Sequence, residues 1–257
     1  MTRYSALDVT DDGLVAIVTM NRPATRNAAD ATMHRELGDI WADLAAHRTI
    51  RAVVLTGAGR AFSAGGDLPR MLETQRDLAV QDEVFDEARR IVHGMVNLPR
   101  PIVAAVNGPA VGLGASLVAL SDLAVAAETA FLADPHLGVG LVPADGTAML
   151  WPLMTGLLRA KEFVLLGERI PAAKALEYGL VNRVVPAEDV LSTAIELAHR
   201  LAEIPRRALA DTKRILNAGA TQILGAALEQ ALAAERQSVT SPEHIARVQA
   251  MVDAQPQ

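Results

Sequence analysis

The stretch "AAVNGPAVGLGASLVAL", residues 104–120, decides how this chain is read. It opens with a short apolar run stopped by Asn-Gly-Pro, as a buried strand would be. After Gly112 the apolar residues read as a helix. A helix start leaves backbone N–H groups without partners and carries partial positive charge. A second strand end runs into a glycine-rich turn in "LTGAGRAFSAGGDL", residues 55–68. Two such turns side by side aim two N–H donors at one oxygen, the geometry that holds an enolate or oxyanion. Glycine permits both the tight turn and close substrate approach. Two other readings stand beside this one. Strand–G-x-x-x-G-x-G–helix also fits a dinucleotide-binding turn, although the spacing is incomplete and no acidic residue ends a second strand about 20 residues further on. The glycines also serve ordinary turns and close packing.

Working outward, "GLVAIVTM" (13–20), "RAVVLTG" (51–57) and "PIVAAVNG" (101–108) read as buried strands. Further strands are expected at Leu123–Ala126, near Ala130–Leu132 and at Leu180–Val185. Helical patterns lie between them. Ala29–Ala46 carries Met33, Leu37, Ile40, Trp41 and Leu44 on one stripe, and Glu83–Asn97 has similar spacing. Alternating strand and helix predicts an α/β fold. From about Pro186 the pattern is helix only, over 188–203, 206–218, 223–240 and 242–253. The expected division is therefore an α/β core over residues 1–186 and a helical block over 187–257 whose apolar stripes suit a subunit interface. No internal repeat stands out.

Composition narrows the function. Of 257 residues, 51% are hydrophobic, enough for a sizeable core. The net charge is −6 with no basic run, so nucleic acid is not an expected partner. Aromatics make up only 3%, which argues against stacking platforms for bases. There is no cysteine, which excludes disulfides and thiolate metal sites. The N-terminal residues lack the basic-then-apolar shape of a signal peptide, and Pro, Gly or Asp breaks every apolar stretch short of a membrane span. A cytoplasmic protein without a membrane partner is the expectation.

The 97–143 segment "NLPRPIVAAVNGPAVGLGASLVALSDLAVAAETAFLADPHLGVGLVP" resembles the enoyl-CoA hydratase/isomerase (crotonase) family. So do "AKEFVLLGERIPAAKALEYGLVNRVVP" after it and "NRPATRNA" and "GRAFSAGGDL" before it; the likeness spans roughly residues 10–215. The resemblance implies a ββα spiral core, a C-terminal helical trimerisation region, and a homotrimer or dimer of trimers. It implies acyl-CoA thioesters as substrates, with coenzyme A as part of the substrate and no separate cofactor. The two turns are then the oxyanion hole, with backbone N–H donors at Gly66 and Leu113. Backbone groups of Ala64, Gly66 and Leu68 are expected to hold the adenine, and Arg26 to meet a CoA phosphate or stay in solvent. Leu113 places a bulky apolar wall beside the reacting carbonyl. Pro69 stands where a basic residue often follows this turn, with Arg70 next. Residues 71–90 and Leu113 are expected to shape the acyl pocket.

The chain departs from the family where hydratases carry two water-holding glutamates. Those positions are Ser116 and His136. His136, nine residues before Asp145 in "FLADPHLGVGLVPADG" (131–146), has an imidazole suited to acid–base work near neutral pH. A neighbouring Asp145 would raise its pKa and fix its tautomer, or it caps the helix that begins near Gly146. Ser116 is a candidate for binding water or substrate, with bonding to its own backbone as the alternative. A Ser116–His136–Asp145 triad needs a geometry that spacing cannot test. Asp134 and His136 are near each other, but no further ligand cluster accompanies them, so no metal site is expected.

The expected activity is an acyl-CoA-processing lyase or isomerase of the enoyl-CoA hydratase (EC 4.2.1) type, with a non-standard His136/Asp145 pair. The same pair and the following Trp-Pro resemble the β-diketone hydrolase (oxocamphor hydrolase) branch, so C–C bond hydrolysis is an alternative. A catalytically inactive paralogue is another.

Overall fold

The structure, a computed structural model, describes residues 3–254. The chain opens with β1 (Leu7–Asp12), antiparallel to β2 (Val15–Met20). It then winds as a spiral in which each turn gives a long strand to one sheet, a short pairing to a second sheet, and then helix. In the first turn β2 leads through the Ala29 bridge into α1 (Ala31–Ala46). In the second, β3 (Ala52–Gly57) leads through bridges at Ser63 and Gly66 into α2 (Leu68–Arg76) and α3 (Leu78–Asn97). In the third, β4 (Ile102–Val106) is followed by β5 (Ala110–Val111) and α4 (Leu113–Ala119). In the fourth, β6 (Leu123–Ala127) is followed by β7 (Phe131–Ala133), α5 (Thr147–Thr155) and α6 (Leu157–Leu166). The chain then passes through β8 (Ile170–Pro171), α7 (Ala172–Glu177) and β9 (Arg183–Val185), and ends in α8 (Val190–Ala202), α9 (Arg206–Leu216), α10 (Ala218–Val239) and α11 (Pro242–Asp253).

The main sheet runs β1-β2-β3-β4-β6-β9 and is parallel from β2 onward; the small sheet runs β5-β7-β8. Every residue of β3 and β4 is buried, so these strands read as unbroken apolar runs rather than alternating ones. β1 was not expected. Only Leu7 and Val9 of its "LDVTDD" face inward, and its acidic remainder suits a solvated edge. The helix expected from Glu83 begins earlier, at Leu78, because Asp77 caps it by accepting from the Ala79 N–H. α2 was hidden in the sequence because it buries little beyond Thr74.

The helices after residue 186 close over the same core. α8 lays Val190, Ala194, Leu197 and Ala198 inward against the sheet. On α9, buried Lys213 donates to Asp122 at 2.7 Å and to the Arg100 carbonyl at 2.9 Å, pinning the helix between β4 and β6. On α11, His244 is buried and its Nδ1 donates to the Val139 carbonyl at 2.7 Å. No helix among the described residues is long and apolar enough to cross a membrane.

Candidate active site

Successive turns of the spiral bring the ends of the small-sheet segments together, and the site forms there. The Ala29 N–H donates to Gly65 O at 2.8 Å, and the Asp67 N–H donates to Ala29 O at 3.1 Å. That parallel bridge uses the peptide groups flanking Gly66 and turns the Gly66 N–H the other way. One spiral turn on, Leu113 opens α4, so its N–H is one of the helix's unpaired donors. Neither N–H has an acceptor among the described residues. The turns touch. A Cβ on Gly65, which sits at φ +92°, would lie 3.0 Å from the Val111 carbonyl oxygen, so only glycine allows this approach. Gly66 and Leu113 both line a cavity of about 940 Å³.

Side chains of "NRPATRNA" lock the first of these turns. Asn27 is fully buried; its amide donates to the carbonyls of Ala58, Ala61 and Phe62 and accepts from the Arg22 N–H. Arg22 reaches Asp67 at 3.1 Å and the Ala28 carbonyl. The Ala64 N–H donates to Arg26 O at 2.9 Å, tying the two segments together, and Ala64 lines the cavity. Leu68 opens α2 with no side-chain cap. Arg26 is exposed at the cavity wall. Arg70 also lines the cavity, but its guanidinium already pairs with Glu73 and Glu83.

His136 follows β7 and its imidazole faces the second turn, with Cε1 3.5 Å from where a Cβ on Gly112 would be. The carboxylate that braces it is Asp134, not Asp145. His136 Nδ1 lies 2.5 Å from Asp134 Oδ1, and a carboxylate only accepts, so Nδ1 donates. Asp134 is fully buried and its other oxygen accepts from the Thr147 hydroxyl at the start of α5. Asp145 lies on the other side of the ring, with Oδ2 3.9 Å from His136 Nε2. That is an ion-pair distance, too long for a hydrogen bond. Asp145 does not cap α5: Gly146 occupies the cap position without a side-chain bond, and Asp145 accepts from the Ser116 hydroxyl at 2.7 Å. Ser116 is fully buried and bonds Asp145 rather than His136, so a Ser–His–Asp nucleophilic triad does not form.

A carboxyl from α10 completes the group. Glu235 lines the same cavity, and its charge acts on His136, Asp145 and Asp134. Burial alone would push the His136 pKa down. Asp145 and Asp134, with a smaller contribution from Glu235, outweigh it and hold the imidazole up at about 10. Burial pushes Glu235 up to about 8; the His136 charge opposes this, and the Asp145 and Asp134 charges add to it. Burial also raises Asp145, with the Asp134 charge adding, against the His136 charge and the Ser116 bond. Asp134 goes the other way: burial opposes, but the bonds from His136 and Thr147 hold it below the usual carboxylate range. At neutral pH the arrangement is an imidazolium flanked by a carboxylate brace and a more basic carboxyl partner.

The fold also corrects the expectation that no third ligand accompanies Asp134 and His136. Asp145 joins them, with one potential ligand atom from each lying within 4.8 Å of the others. The donor set does not fit a metal: both Asp134 oxygens and His136 Nδ1 are hydrogen-bonded, and metal binding requires a neutral imidazole. Asp134, Thr147 and Glu235 were missed as site residues. The Asp-Pro-His run was a signal for Asp134; for Glu235 there was none.

The family model described as enoyl-CoA hydratase/isomerase matches residues 10–254. A crystal structure of an enoyl-CoA hydratase/isomerase from Mycobacterium paratuberculosis is 45% identical, with a TM-score of 0.94 over 96% of this chain and 99% of that one. The 1,2-epoxyphenylacetyl-CoA isomerase of Escherichia coli is 35% identical, over 84% of this chain and 83% of that protein. The 2,3-dehydroadipyl-CoA hydratase of the same species is 35% identical, over 92% of this chain and 89% of that protein. The spiral and its paired turns, with these matches along nearly the whole chain, place this protein in the enoyl-CoA hydratase/isomerase (crotonase) family.

Proposed function

We propose that this protein processes acyl-CoA thioesters through an enolate held by the Gly66 and Leu113 N–H groups, with His136 and Asp145 moving the proton. The observation that carries this reading is the meeting, in one cavity, of two unpaired backbone donors and the Asp134–His136–Asp145 group. The donors stabilise charge as it develops on the thioester oxygen, worth about 3–4 kcal/mol each in comparable sites. His136, charged at neutral pH, is the proton donor to carbon. Asp145, made more basic by burial, is the acceptor. In hydration the enolate formed by water adding at Cβ takes a proton at Cα. In isomerisation the proton leaves Cγ and returns at Cα. The same acceptor and donor serve either course, and the hydratase and isomerase names among the relatives favour neither. On this reading Ala64, Leu68 and Arg26, which line the cavity, would receive the CoA moiety.

The test is incubation with crotonyl-CoA and longer 2-enoyl-CoAs. The expected result is loss of the conjugated thioester absorbance for hydration, or product with a shifted double bond for isomerisation. No change at any chain length counts heavily against the reading. Hydrolysis of a β-diketone without CoA is the second reading, favoured by His136 and Asp145 facing each other 3.9 Å apart; tight CoA binding removes it. Under an inactive-paralogue reading, His136→Ala and Asp145→Ala would change stability alone.

We also propose a homo-oligomer, trimeric or a dimer of trimers. Leu157, Leu158, Leu165 and Leu166 on α6 and Ile215 and Leu216 on α9 are all more than half exposed, more apolar surface than two helices leave to water without a partner. Sedimentation of the wild type and of Leu158→Glu tests this: the wild type should sediment as an assembly and the variant as a smaller species.

A further inference from the structure

The cavity contains a second imidazole–carboxylate pair that the proposed chemistry does not use. His34, in the first turns of α1, lines the cavity; its Nδ1 lies 2.7 Å from Oε2 of Glu87 on α3. Glu87 is buried and braces the ring from behind. Because a carboxylate only accepts, Nδ1 donates, and Nε2 is left as the imidazole's outward atom. Nε2 has no protein partner among the described residues, and it is not a buried atom. A polar pair set into an apolar wall costs free energy unless something bonds it.

The wall around His34 suits an acyl group better than CoA. From the oxyanion turn the cavity continues along α2 and α3. Met71 reaches back to Gly66, its Cε 2.9 Å from where a Cβ would be, and Phe85 and Ala88 extend the apolar surface. The exposed Arg26 suits the phosphate-bearing end instead. Other polar groups along this wall are partly engaged: the Thr74 hydroxyl donates to Arg70 O at 2.8 Å, and the Arg70 guanidinium pairs with two glutamates through its terminal nitrogens, while its buried Nε has no partner among the described residues. His34 Nε2, unlike the buried Arg70 Nε, is not buried, and it can accept as well as donate, which suits it to read a substituent.

We propose that His34, oriented by Glu87, recognises a hydroxyl group on the acyl chain, so that the protein acts on hydroxylated acyl-CoA thioesters in preference to plain ones. This rests on the acyl-CoA reading above. A hydroxyl is both donor and acceptor, so it bonds Nε2 whether the ring is neutral or charged. An anionic tail is disfavoured, because with Nδ1 donating to Glu87 a neutral ring has only an acceptor at Nε2, and a carboxylate is itself acceptor-only. His34 and Glu87 are positioning and specificity residues, not catalytic ones.

The experiment compares kcat/KM for 2-enoyl-CoAs of short to medium chain with their ω-hydroxy and ω-carboxy counterparts, for wild type, His34→Phe and His34→Gln. Free CoA binding by the wild type is measured alongside by calorimetry. At one chain length at least, the wild type should favour the hydroxy substrate by about tenfold or more. His34→Phe should erase that ratio and His34→Gln, which still hydrogen-bonds, should keep part of it. Equal ratios in wild type and His34→Phe, or a preference for the carboxy substrate, overturn the assignment with the acyl-CoA reading intact. Failure of the wild type to bind CoA overturns both.

Discussion

His136 and His34 form similar pairs in one cavity yet suit different tasks. Each donates Nδ1 to a carboxylate, at 2.5 Å to Asp134 and 2.7 Å to Glu87. The difference lies at the other nitrogen. His136 Nε2 faces Asp145 with Glu235 nearby, and these carboxyls hold the proton on the ring up to about pH 10. His34 Nε2 meets no protein group among the described residues. The bond at Nδ1 fixes tautomer and orientation in both; what stands at Nε2 decides whether the ring carries protons or reads a ligand.

The contrast can be broken first at the rings. His136→Ala is expected to lower kcat/KM on an unsubstituted enoyl-CoA by about 10²–10⁴-fold, the usual worth of a placed acid–base group. A loss as large in His34→Ala, on that same substrate, would erase the distinction. Next in size, Asp134→Asn removes the charge that braces His136. It should cost about 10–100-fold in kcat, and an NMR titration should find the imidazole pKa well below its wild-type value of about 10. An unmoved titration would mean that Asp134 only positions the ring.

The carboxyls sharpen the contrast through pH. Glu235 titrates near 4.5 when unfolded and near 8 when folded, so its contribution to stability is present below pH 4.5 and is lost as pH rises through 8. His136, raised from 6.5 to about 10, contributes stability present below pH 6.5 and lost as pH rises through 10. Urea midpoints should therefore fall from acid toward alkaline pH, and Glu235→Gln should flatten the part between 4.5 and 8 alone. The same slope in the variant would remove Glu235 from the group. The smallest effect is expected for Glu87→Gln, which keeps an acceptor for His34 Nδ1. It should cost about 1 kcal/mol in urea melts, less than Asp134→Asn, whose carboxylate also holds Thr147.

Much of the fold was legible because a buried strand needs nothing but its own residues to identify it. The runs around 15–20, 52–57 and 102–106 are apolar throughout and ended by turn formers. The ββα spiral was legible through the family resemblance and not through periodicity, because its second strand in each turn is a pairing of one to three residues, too short for any period. Within the site, the glycine turns and the His136/Asp145 pair were legible as motifs. The brace was misread. Spacing pointed to Asp145, whereas the backbone after β7 folds Asp134 back onto its own neighbour and the Ser116 hydroxyl draws Asp145 toward α4.

The sequence by itself determined the apolar core strands, the helices that alternate with them, and two turns whose glycines admit a close approach and leave N–H groups free. Only the tertiary structure decided which charges share the cavity. Glu235 arrives on α10 and Glu87 on α3, and neither carries a local pattern that marks it as facing a histidine. The physical reason is range. Strand and turn formation depend on neighbours along the chain, whereas the proton affinity of an imidazole depends on every charge within a few ångströms, whatever its distance in sequence.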